Sequence, residues 1–176
     1  MEAETIVKYQ SSASFKSVES IESYLNHFNK TSEKTTATAD LIISFVLSEK
    51  GERLAKNLSV QRKQLRSDFS DEALPTLAEK RKFLARLANL SVFTKEIWHC
   101  TDLTTASILD SNLDNETGLA LAFLQSLKHT IVIAPLSRFY QIAVDASDPT
   151  DKAQAINDLM GAIKACTAFS ALWADP

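Results

Sequence analysis

Residues 76–98, TLAEKRKFLARLANLSVFTKEIW, decide the fold. Phe83, Leu87, Leu90, Phe93 and Ile97 recur at steps of three and four, the repeat of one face of an α-helix. Leu84 and Trp98 widen the stripe. At its start, Thr76-Leu77-Ala78-Glu79 has capping-box spacing. The threonine oxygen can accept from the third helical N–H, and the glutamate can reach back. No glycine or proline interrupts the run.

The same economy of turn residues holds along the whole chain. Its 176 residues contain three glycines and four prolines, where average usage would supply roughly 12 glycines. Sheet-rich folds need turn residues at short intervals, and α/β nucleotide sites need clustered glycines. This composition predicts an all-α protein, a single irregular bundle of six to eight helices. Residues 1–14 read as a polar N-terminal arm and 15–176 as the helical domain.

The remaining helices follow from periodicity. Val18, Ile21, Leu25 and Phe28 mark a first helix starting near Ser17. Residues 41–47 are apolar around the whole helix, so that element should be the most buried. Leu54, Leu58 and Leu65 continue on a mostly polar helix, with Gly51 either a break or a tolerated glycine. Residues 103–109 are read as a short helix. Leu119, Phe123, Leu124 and Leu127 define the next, and Pro135 must lie in the first turn or at a kink of the one after it. Asp148 and Pro149 fit the cap and first position of the last helix. Its expected inward face runs from Ile156 to Phe169, Leu172 and Trp173. With 41–47 and 83–98, that helix is expected to form the centre.

Charge is segregated. Between residues 49 and 95 there are eleven Lys/Arg against six Asp/Glu, although the net charge is −3. Arg62, Lys63, Arg66, Lys80, Arg81, Lys82 and Arg86 are the candidate nucleic-acid-binding residues, through attraction to phosphates and release of counterions. A solvated helix face is the plainer reading of such a run. No aromatic residue is interleaved within 62–66 or 80–82 to stack bases.

Several chemistries have no residues to carry them. There is no phosphate loop, Cys-x-x-Cys, His-Glu-x-x-His or Gly-x-Ser-x-Gly. None of the three histidines has an arginine four to six residues upstream, as helical nucleases of toxin and immunity systems require. His99, Cys100, His129 and Cys166 have no zinc-site spacing, and each fits a helix end or core position. Glu96 and His99 can touch on a helix, but without a nucleophile or metal they make a surface pair. No catalytic residue, metal or cofactor is therefore expected. Two widely spaced cysteines suit a reducing compartment. No signal peptide or membrane span is read, so the expected location is the cytoplasm.

Three segments carry a family resemblance. They are 83–98 (FLARL through FTKEIW), 129–136 (HTIVIAPL) and 168–173 (AFSALW). Together they resemble the helical middle region of large bacterial proteins with a ParB-like nuclease domain in front and an HNH-type domain behind, the modification-dependent restriction enzymes of the GmrSD type. The resemblance covers residues 45–173. It implies a non-catalytic helical module of a DNA-targeting defence protein, linking or orienting nuclease domains and contacting the DNA backbone through the basic group. It also implies a fragment of a longer protein, or a standalone relative that kept only the helices. The family's catalytic motifs lie in the flanking domains and have no counterpart here. The alternative is a helical protein–protein interaction or dimerisation adaptor, whose signature would be uncovered apolar surface.

Overall fold

The computed structural model describes residues 12–103 and 106–173, without the side chain of residue 173. Seven α-helices dominate: α1 (Ala13–Asn26), α2 (Thr31–Lys50), α3 (Leu58–Asp68), α4 (Leu77–Phe93), α5 (Asn115–Ser126), α6 (Ile133–Asp145) and α7 (Pro149–Trp173). A π-turn (Thr94–Trp98), a 3-10 turn (Thr130–Val132) and a two-stranded hairpin, β1 (Ser107–Ile108) and β2 (Ser111–Asn112), complete the described elements. The all-α expectation holds. The chain forms two compact units, Met1–Val92 and Phe93–Pro176.

In the first unit, Ser12 caps α1 by accepting from the Phe15 N–H, so the helix starts earlier than Ser17. Of the polar arm expected over 1–14, residues 1–11 lie outside the described residues. As expected, α2 is deeply buried, through Ala37, Leu41, Ile42, Phe45 and Val46. Gly51 ends it in the left-handed region, at φ 72°, where a side chain would be strained. The Phe45 ring meets the Phe83 ring of α4 edge-on at 4.9 Å. The Thr76–Glu79 capping box forms in both directions, at 3.2 and 2.9 Å.

The π-turn alters the reading of 83–98 as one regular helix. The His99 N–H donates to the Thr94 carbonyl at 2.9 Å, a step of five residues. The widened turn buries both Ile97 and Trp98.

In the second unit, α7 packs against α6 and α5. Lys164 reaches Asp114 and Glu116, and further along Thr167 donates to the Ala120 carbonyl, so α5 and α7 run in the same direction. Leu121, Leu124, Leu136, Leu159 and Ile163 are fully buried. Pro135 lies in the first turn of α6, and Asp148 caps α7 with Pro149 first, as expected.

Two expectations fail here. The short helix expected over 103–109 is not formed by residues 106–109, and residues 104–105 lie outside the described residues. Ser107–Ile108 pairs antiparallel with Ser111–Asn112 across Leu109 and Asp110, which both have positive φ (49° and 71°). That two-residue hairpin turn normally takes glycine, asparagine or aspartate; Leu109 is the poor fit, and it follows Ile108, which is fully buried. We expect Asp110→Gly to raise stability by about 0.5–1 kcal/mol by relieving the left-handed residue. A thermal midpoint at or below the parent's would show the turn is unstrained.

The second failure is the end of α7. Phe169 is 61% exposed and Leu172 80% exposed, so neither extends the inward face; the Trp173 side chain lies outside the described residues. With 25 residues, α7 is about twice the length of the 13-residue α6 it runs back against. The inward face continues past Ile163 to Ser170, which is buried, while Phe169 and Leu172 lie about 120° and 180° around the helix from Ile163 and so stay on the surface.

Helix caps carry the acid sensitivity. The Asp114 carboxylate is held below the ordinary 3.8 mainly by the Thr117 N–H, and Asp148 by the Thr150 and Asp151 N–H groups. Glu79 is held below 4.5 by its bonds to Thr76. A carboxylate depressed in the folded state stabilises it above the unfolded value, and that contribution is lost as pH falls through the folded one. Thermal stability should therefore drop as pH falls below about 4.5. Asp114→Asn with Asp148→Asn should flatten the drop, since asparagine caps without titrating; an unchanged pH profile would refute this.

Candidate nucleic-acid interface

The basic residues sit on two helices that are held by their inner faces. Asn57 caps α3 by accepting from Ser59 and Val60 N–H groups at 2.9 and 3.3 Å. The inner side of α3 is unusually polar. Buried Gln61 donates to the Ala55 carbonyl at 3.0 Å. Buried Asp68 accepts from Gln64 at 2.8 Å and from the Lys50 ammonium at the end of α2. Polar groups out of water must be paired, so these bonds fix the side of α3 that faces inward. Arg62, Lys63 and Arg66 lie on the outer side, all exposed.

On α4, two of the seven candidates are already engaged. The Lys80 ammonium pairs with Asp71 and sits 5.6 Å from the Phe69 ring centroid. Arg86 pairs with Glu49 of α2 at 2.9 Å, with little exposure on either side chain. Its Nε has no hydrogen-bond partner. Arg86 is three residues after Phe83 and four before Leu90, both buried, so it belongs to the inward face. That spacing was visible in the sequence and marks a half-buried ion pair rather than a free surface cation. Sequence reasoning missed its partner Glu49, and also Lys50, Gln61, Gln64 and Asp68.

Arg62, Lys63, Arg66, Arg81 and Lys82 remain. All five are exposed, and none pairs with a carboxylate among the described residues. Unpaired surface cations keep their full attraction for an external polyanion, whereas Lys80 and Arg86 would have to give up a partner first.

Phe69 is the aromatic side chain at the end of α3, and it is 41% exposed. Its ring leans on Phe83 at 5.7 Å and Lys80 lies over it. The exposed cations therefore have one partly exposed ring, Phe69, near them, and that ring is already engaged on Phe83 and Lys80.

No group of three or more His, Cys, Asp or Glu capable of holding a metal occurs among the described residues. Cys100 and Cys166 are free thiols, both half-buried, and burial pushes the Cys166 thiol up, away from the reactive thiolate. Glu96 is exposed. Tyr140 is pushed up to about 12, by burial first and then by the charge of Glu96. No described helix is long and apolar enough to cross a membrane.

No protein-family model matches the chain, and no curated protein matches it.

Proposed function

We propose that this chain is a non-catalytic helical module of a DNA-targeting defence protein, linking or orienting nuclease domains and contacting the DNA backbone. Five exposed Lys/Arg without an acidic partner, on α3 and α4, carry the reading. The resemblance of residues 45–173 to the helical middle region of GmrSD-type proteins gives it direction. A surface that attracts phosphates through exposed cations suits sequence-independent contact, with cutting left to other domains.

The test is binding of a fluorescent mixed-sequence DNA duplex at low salt. Replacing all five cations, with Arg62→Glu, Lys63→Glu, Arg66→Glu, Arg81→Glu and Lys82→Glu, should weaken binding by more than about tenfold. Unchanged affinity in a variant with the parent's unfolding midpoint would refute the reading.

A second reading, a protein-interaction or dimerisation adaptor, is favoured by a separate observation. Leu119 on α5 is 73% exposed, with Phe123 one turn away also exposed. On α6, Ile142 is 60% exposed, with Phe139 and Arg138 beside it. Uncovered apolar side chains at helical spacing are what a docking face presents. Light scattering distinguishes the two. Self-association abolished by Leu119→Glu or Ile142→Glu would support the adaptor, and a monomer at every concentration would count against its dimerising form.

A further inference from the structure

The five unpaired cations do not form one patch. At about 100° per residue, Arg62, Lys63 and Arg66 fall within about 100° of one another, a single stripe along the outside of α3. On α4, Lys80 and Phe83 both meet Phe69, which follows the end of α3. Arg81 and Lys82 each lie about 130° around the helix from the middle of that face, one on either side. They point away from the end of α3. A rigid polyanion lying along the α3 stripe therefore passes them by.

We infer that the α3 stripe alone, Arg62, Lys63 and Arg66, binds the phosphate backbone of double-stranded DNA, and that Arg81 and Lys82 take no part. This rests on the DNA-contacting reading proposed above and narrows it to one helix and one form of nucleic acid. The preference for duplex follows from what the stripe contains. Its charges are held on a helix whose inner side is fixed by the Gln61 and Asp68 bonds, so they present a preset row. A duplex carries one charge per about 1.7 Å of axis and holds condensed counterions that such a row displaces. A single strand gives up fewer counterions per contact, and proteins recover the difference by stacking bases on aromatic rings. No aromatic residue lies between Arg62 and Arg66; the Phe69 ring at the end of the helix, 41% exposed, is a single ring already engaged by Phe83 and Lys80, too little to make up that difference.

Two variants of the full chain separate the helices. One carries Arg62→Glu, Lys63→Glu and Arg66→Glu; the other carries Arg81→Glu and Lys82→Glu. Each is titrated at low salt against a labelled duplex and against one of its single strands, with the unfolding midpoint as control for folding. The α3 variant should lose more than about tenfold in duplex affinity, and the α4 variant should stay within about twofold of the parent. The parent should prefer duplex over single strand. Equal losses in both variants, or tighter binding of the single strand, would overturn this inference and leave the broader DNA-contacting reading standing. No loss in either variant would overturn both. Should only a folding-defective α3 variant be obtained, Arg62→Gln with Arg66→Gln removes charge without reversing it, and the same comparison decides.

Discussion

Phe45→Ala should lower the free energy of unfolding of the first unit by about 3–5 kcal/mol. Phe45 is almost completely buried in the middle of α2, and its ring abuts Phe83, which in turn leans on Phe69. Truncation removes the transfer energy of a benzyl group and leaves a cavity that a rigid aromatic cluster cannot refill. Domains of this size have roughly 5–15 kcal/mol in total, so the loss is a large share. Urea titration followed by circular dichroism measures it. A loss under about 1 kcal/mol would mean that the α2–α4 aromatic cluster does not hold the unit.

Leu159→Ala should cost about 2–5 kcal/mol, while Phe169→Ala, ten residues on in the same helix, should cost under about 1 kcal/mol. Leu159 is fully buried where α7 packs against its neighbours, and Phe169 is mostly exposed. The size of the residue would predict the opposite order, since phenylalanine has more apolar surface to lose. Burial decides between them, because surface that remains in water contributes no transfer energy. Equal losses for the two substitutions would restore the sequence expectation that α7 is inward-facing to its end.

Most of the helices were legible in the sequence because each carries its own signals. The capping box at Thr76, the Asp148-Pro149 start and the near-continuous apolar run over 41–47 are local features, and each formed as expected. Elements set by neighbours were not legible. The π-turn at Thr94–Trp98 inserts one residue into a repeat that reads as regular either way. The 107–112 hairpin forms despite the poor turn chemistry of Leu109, which follows the fully buried Ile108. The exposure of Phe169, by contrast, is a matter of helical phase: buried Ile156, Ile163 and Ser170 repeat every seven residues, and Phe169 falls off that line.

The candidate interface was legible in composition and not in arrangement. All seven cations were named, yet two are engaged in pairs and the other five face different ways. Helical phase within each segment assigns Arg86 inward and aligns Arg62, Lys63 and Arg66. Only the contact of Phe69 with Lys80 and Phe83 shows that Arg81 and Lys82 lie elsewhere. The polar inner side of α3 was invisible because Lys50 and Asp68 look like ordinary surface charges until their pairing is known.

The salt dependence of duplex binding by the unaltered chain bears most directly on whether this helical module touches DNA through its charges. Three phosphates neutralised by Arg62, Lys63 and Arg66 should give a plot of log affinity against log salt with a slope of about −2.7. A flat plot, or no binding at low salt, would contradict it.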